Sequence, residues 1–222
     1  MIHLDNHAHL DDGDTARKPS ASIWAVPLIA AIACLIVAAA LLAVADGRGL
    51  DVSSLLRDPA VEFDIPVYAG GISFLGISLL LLSSGCTALA ASVLPNDRGL
   101  LLALSAFSLL LAYDDQFMLH ERVFNRMGIP EIVVLATYAI AGCALLAALW
   151  FSDRRVWTIG FLVAVGFMGI SVLADLVETS YVIEDLLKVA SFAAWLGFCL
   201  SFSRQSLIDA THSPDAAGPA RP

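Results

Sequence analysis

Charge is what this sequence has least of. Only 15% of its 222 residues are charged, against about 25% in an ordinary soluble domain, while 59% are hydrophobic. Basic residues are the scarcer sign, 12 Lys and Arg against 21 Asp and Glu, for a formal net charge of -9. Nucleic acid is thereby excluded as a partner, because its phosphates call for a basic footprint. The polybasic segment that would recruit an anionic lipid surface is also missing. Cysteine is sparse: Cys34, Cys86, Cys143 and Cys199 each fall inside an apolar run, with no second Cys or His at ligand spacing. They read as small packing residues rather than a disulfide or zinc framework. There is no HExxH, no GxSxG, no phosphate-cradling Gly-rich loop and no internal repeat.

Long apolar runs fill the space that charge leaves empty. Residues 1–20 are polar and hold His3, His7, His9, Asp5, Asp11, Asp12 and Asp14. Nothing apolar is present there to fold, so this is expected to be a disordered acidic tail, though its His/Asp spacing is of a kind that holds metal weakly. The run 21–45 exceeds the 7–15 residues of a signal-peptide core and lacks a following cleavage site, which predicts an uncleaved first span. An acidic loop, 46–65, contains a short stretch, 52–57, suited to an interfacial helix. Further runs at about 66–95, 99–121, 131–151, 156–179 and 181–203 predict five more spans. The second is rich in small residues for close helix contact: Gly70, Gly71, Ser73, Gly76, Ser78 and Ser83-Ser84-Gly85. Trp150 and Trp157 flank a turn at 152–155, as membrane-belt residues do. Residues 205–222 read as a disordered tail. The expected object is an all-α, polytopic six-helix bundle over 21–204 in an inner- or plasma-membrane-type bilayer.

Six spans place both termini on one side. With the N terminus inside, Arg17, Lys18, Arg98, Arg154, Arg155 and Arg204 are cytoplasmic, and Arg48, Arg57, Arg122 and Arg126 are outside. The excess favours cytoplasmic termini.

The few charges that enter the apolar runs gather at one end. The third run closes on Tyr113-Asp-Asp-Gln-Phe-Met-Leu-His-Glu-Arg122. Helical rise puts Asp114 about 22 Å from Gly99 and Lys188 about 22 Å from Ser203, matched depths in a core about 30 Å thick. Asp175, His120, Glu121, Glu178, Glu184 and Asp185 collect at the same rim. Asp114 and Glu121 share a helix face, while Asp115 points about 100° away. Glu184 and Lys188 form an i,i+4 pair, and an Asp114–Lys188 ion pair between helices follows from the matched depths. Asp115 suits a bond to a neighbouring Ser, Thr or Tyr. So many acids in a low-dielectric rim cannot all be charged and unpaired. Some are protonated, or a cation sits among them, or water reaches them.

Three functions fit this pattern. In the first, Asp114, Asp115, His120, Glu121, Asp175, Glu178, Glu184, Asp185 and Lys188 bind or translocate a cation or proton, with a homo-oligomer as one source of a pore. In the second, the protein is a membrane-embedded hydrolase whose divalent cation is held by His120, Glu121 and Asp175. In the third, the cluster only fixes helix packing in a structural or sensory protein. The first is the reading this sequence favours.

Overall fold

A computed structural model describes residues 22–49, 63–66, 69–177 and 181–212. The histidine-containing tail, the 52–57 stretch, Glu178, and the side chains of Asp175 and Glu184 lie outside the described residues. The described residues are helical, with no strand among them. They fall into two compact units, residues 1–69 and 70–222. The first contains α1 (Ser22–Gly47), 26 residues long. The second contains α2 (Gly71–Val93), α3 (Arg98–Phe117), α4 (Glu131–Trp150), α5 (Thr158–Leu176) and α6 (Tyr181–His212). All five carry a stretch long and apolar enough to cross a membrane, and their outward faces expose large aliphatic side chains such as Leu82, Leu89, Ile140 and Ile159.

Local chemistry fixes the ends of these helices. The second span begins at Gly71 rather than at Pro66, because Gly70 takes a left-handed φ of 74°, which glycine adopts without a Cβ clash. Its last residue is Val93; Leu94, extended at φ -115° and ψ 92°, precedes Pro95, whose ring disfavours helical backbone before it. Pro130 leads into α4. The last helix does not end near Ser203 as its composition suggests. It continues to His212, because residues 205–209 carry a hydrogen bond along the helix: Gln205 Nε2 donates to Asp209 Oδ1 at 2.7 Å. The disordered tail expected from residue 205 is corrected to that extent.

The core of the second unit lies where α2 packs against α3 and α6, and α6 against α5. Leu80, Leu101, Leu104, Leu149, Phe161, Trp195 and Phe202 are fully buried there. Trp195 is the hub of an aromatic cluster, edge-on to Phe161 at 5.6 Å and to Phe107 at 5.7 Å between centroids. Such pairs add about 0.5–1.5 kcal/mol beyond area burial. The two tryptophans expected as belt residues part company. Trp150 is exposed, whereas Trp157 packs edge-on against Phe202 at 5.7 Å. The small residues of α2 divide in the same way: Gly76, Ser83 and Ser84 are buried, while Ser73, Ser78 and Gly85 are exposed.

Gly76 is the tightest of these contacts. A Cβ there would stand 3.0 Å from the Phe192 ring of α6, so only glycine lets α2 approach so closely. Gly76→Leu should destabilise the detergent-solubilised protein by about 1–3 kcal/mol. Gly85→Ala, which meets nothing within 4 Å, should leave the thermal midpoint unchanged or higher. Equal midpoints for Gly76→Leu and wild type would show that this contact does not set the helix spacing.

Candidate functional site

The polar stretch at the end of the third span is not one continuous helix. At Phe117 α3 stops, and Met118 takes the left-handed conformation at φ 48° and ψ 48°, which costs a non-glycine residue about 1–2 kcal/mol. A π-helical turn, Leu119–Val123, follows, then a single α-turn, Phe124–Arg126. Gly128, at φ 82°, closes that turn. Its N–H donates to Asn125 O at 3.0 Å and the Ile129 N–H to Phe124 O at 3.0 Å, the paired bonds of a glycine-terminated helix. Short π turns inside helices are concentrated at functional sites.

Asp114 holds this reversal together. Its main-chain carbonyl accepts the Met118 N–H, and its side-chain Oδ1 accepts the His120 N–H at 3.0 Å. The His120 ring returns to the same carboxylate, Nδ1 lying 2.6 Å from Oδ2. From α4, the Tyr138 hydroxyl donates to Oδ1 at 2.9 Å. The carboxylate is 6% exposed and has three donors, which meets the demand that a buried anion be hydrogen-bonded. With Nδ1 directed at Asp114, the His120 Nε2 is the free ring nitrogen; it is 3.6 Å from Glu121 Oε1. Glu121, Arg122, Asn125 and Arg126 line an open cleft of about 320 Å³ on the turns that follow.

The ring bond to Asp114 raises the basicity of His120 above the ordinary imidazole value. Partial burial opposes this, and the charges of Asp114, Glu121 and Glu131 add to it. The imidazolium is thus the form that the folded site favours.

Asp115 faces the other way and meets α6. Its Oδ1 accepts from Lys188 Nζ at 2.7 Å. The expected Asp114–Lys188 pair is therefore corrected: matched depth was right, but the neighbouring aspartate points to α6. The assignment of Asp115 to a Ser, Thr or Tyr is corrected with it; a tyrosine does bind an aspartate here, but Tyr138 binds Asp114. One residue of helix, about 100°, separates the two carboxylates in direction. Asp185 is exposed. For the metal set His120, Glu121 and Asp175, the Asp175 side chain lies outside the described residues, and among the described residues no three His, Cys, Asp or Glu groups converge as a metal site.

Two features escaped the sequence. Tyr138 is the single tyrosine of a mostly apolar helix; seven residues past Glu131, it lies about 10 Å from the start of α4, and α4 starts at the face where α3 ends. That depth match was the available signal. The second feature is at the opposite end of the bundle. Arg154 donates from Nη2 to Asp97 Oδ2 at 2.8 Å and from Nε to Asp97 Oδ1 at 3.4 Å, and from Nη1 to Asp209. It ties the turn before α3, the turn before α5 and the end of α6. No local spacing announces two partners 57 and 55 residues away.

Residues 28–202 match the family model described as Domain of unknown function (DUF8692). No curated protein and no solved structure matches the chain.

Two predictions follow from this geometry. In a double-mutant cycle on thermal stability, Asp115→Asn and Lys188→Met should be coupled. The energy should lie between the about 1 kcal/mol of an exposed pair and the about 3–5 kcal/mol lost on breaking a buried one. Asp115 is 10% and Lys188 36% exposed in their side chains. Strict additivity would mean that the contact is not made in solution. His120 gives a pH dependence. Its folded value lies above the unfolded value of about 6.5, so its stabilisation is complete below that value and is lost as pH rises through the raised one. The wild-type midpoint should fall over that window and the His120→Gln midpoint should not. Parallel curves would dissociate the imidazole from stability.

Proposed function

As a member of the DUF8692 family, the chain carries no activity by inheritance, and we propose that it is a six-span integral membrane protein that binds and passes protons at Asp114, His120 and Tyr138. The apolar length of α1, 26 residues, joins the five apolar helices of the second unit to make six spans. The arginine distribution then puts both termini in the cytoplasm and the His120 site at the outer face.

One observation carries the reading: a buried carboxylate 2.6 Å from a histidine ring nitrogen, at the end of a helix apolar and long enough to cross a membrane. Ionisable groups within or beside such spans mark proton and ion paths. Asp114 orients the ring, keeps hydrogen on Nδ1 and stabilises the charge that arrives when Nε2 takes a proton from water. Tyr138 holds the carboxylate in place as that charge comes and goes. Glu121, beyond hydrogen-bond range of Nε2 at 3.6 Å, is near enough to exchange a proton with it through one water or a small side-chain rotation. Next door, Asp115 and Lys188 form an ion pair. A proton suits the site better than a metal ion, because Asp114 already occupies one ring nitrogen and three donors already fill most of its own acceptor sites.

The test is a purified protein in liposomes loaded with a pH-sensitive dye. An imposed pH difference should decay faster with wild-type protein than with empty liposomes. His120→Ala should abolish the excess, and Asp114→Asn, which removes the ring's charged partner, should reduce it. Tyr138→Phe should slow it less. Wild-type liposomes no leakier than empty ones would overturn the proposal.

A further inference from the structure

The turns after the Met118 reversal carry charge of the sign that this chain otherwise lacks. Both ends of the segment are fixed: the Arg122 N–H donates to Met118 O at 2.9 Å, and the Ile129 N–H to Phe124 O at 3.0 Å. Glu121, Arg122, Asn125 and Arg126 line the cleft of about 320 Å³ there. Their positions are i, i+1, i+4 and i+5, a spacing that gathers side chains on one side of a helical turn. Arg122 and Arg126 are like charges at i,i+4 and repel one another. Neither forms an ion pair among the described residues, whereas Arg154 and Lys188 each hold a carboxylate.

The cleft thus sets two guanidiniums against one carboxylate, in a chain whose formal net charge is -9. Glu121 stands near the imidazole, its Oε1 3.6 Å from His120 Nε2, which weakens its opposition to an anion. Guanidinium forks match pairs of phosphate oxygens, and the Asn125 amide brings further N–H donors to the same wall.

Apolar side chains adjoin these charges. Val123 and Met127, each one position past an arginine, are 40% and 69% exposed, and Phe117 is 56% exposed. Phe117 ends α3, a helix long and apolar enough to cross a membrane, so the cleft lies where a span gives way to polar chain. A ligand at that level meets charge and hydrocarbon together. A small anion would serve the arginines and leave Val123 and Met127 bare, and an acyl chain alone would do the reverse. A phosphodiester that carries acyl chains serves both.

We propose that Arg122 and Arg126 bind the phosphodiester of a membrane phospholipid. Asn125 donates to its oxygens, Glu121 accepts from a hydroxyl or ammonium of the headgroup, and Val123 and Met127 lie against the acyl chains. Two arginines make a site for one headgroup, which differs from the polybasic segment that attracts a whole anionic surface. The inference rests on the membrane reading of the chain and not on proton passage at His120.

The experiment is thermal unfolding of the full-length chain in a non-ionic detergent, with dioleoylphosphatidylglycerol, dioleoylglycerol or glycerol phosphate added. At about a hundredfold excess over its Kd, the phospholipid should raise the midpoint by about 5–10 °C. Dioleoylglycerol and glycerol phosphate should leave it unchanged. Replacing both arginines, Arg122→Gln with Arg126→Gln, should weaken the apparent affinity by about tenfold or more. Arg204→Gln, at an exposed position on α6, should not weaken it. An equal shift with dioleoylglycerol would mean lipid held by its chains alone, and an equal shift with glycerol phosphate a site for a soluble phosphate ester. Either result overturns the proposal, as does no shift with the phospholipid or an equal loss in Arg204→Gln. The comparison of the three ligands on wild-type protein decides the matter even if the double variant fails to fold. Release of the chain from membranes by alkaline carbonate would instead sink the membrane reading, a failure distinct from the absence of a lipid shift.

Discussion

The carboxylate of Asp114 is the constraint on which this end of the molecule depends. It sits on the last turn of α3, where an unpaired anion would be driven out of the bundle or neutralised. Three donors keep it there: the His120 N–H, the His120 ring and the Tyr138 hydroxyl. Each does a second job. The N–H bond fixes the left-handed reversal at Met118, the ring bond aims Nε2 outward, and the tyrosine bond joins α4 to α3. The cost of a non-glycine residue at φ 48° is offset by an anion that closes the turn from both its main chain and its side chain.

The two ends of the second unit solve the problem of charge in an apolar bundle by different means. At the His120 end, charges are separated by direction: Asp114 serves the reversal, and Asp115 serves Lys188 on α6. At the other end one guanidinium serves two carboxylates, Asp97 and Asp209, and the planar fork of arginine makes the double contact possible. The first arrangement contains an imidazole whose basicity is raised by its carboxylate partner and whose Nε2 lies 3.6 Å from Glu121. The second has the geometry of a clamp on three chain segments.

Between these ends the core follows the rules of membrane bundles rather than of soluble ones. Many large aliphatic residues face outward, and the interior combines leucines such as Leu80, Leu101 and Leu104 with aromatic rings, small residues and hydroxyls. Helix α2 approaches α6 through Gly76, and Ser84 on α2 meets Ser105 on α3 at 3.0 Å. Packing and hydrogen bonds of this kind, more than apolar burial, drive helix association where lipid is as apolar as the side chains.

Composition and periodicity by themselves determined that the described chain is helical, with spans long enough to cross a membrane. They also determined that its ionisable residues gather around residues 113–122 and 188, because span length and charge depth are one-dimensional properties that a 1.5 Å rise converts directly into height. Direction around the helix, and the partner that each direction finds, was decided only by tertiary structure. Asp114 and Asp115 differ by one residue in sequence and by about 100° in space, and no depth argument could tell which would meet Lys188. The break at Met118 carries no glycine or proline on the spot to announce it; it is closed by Asp114, which Tyr138 holds in turn. The contact of Arg154 with Asp97 and Asp209 is hidden because it joins segments more than fifty residues apart, and the energy that fixes it belongs to the assembled bundle.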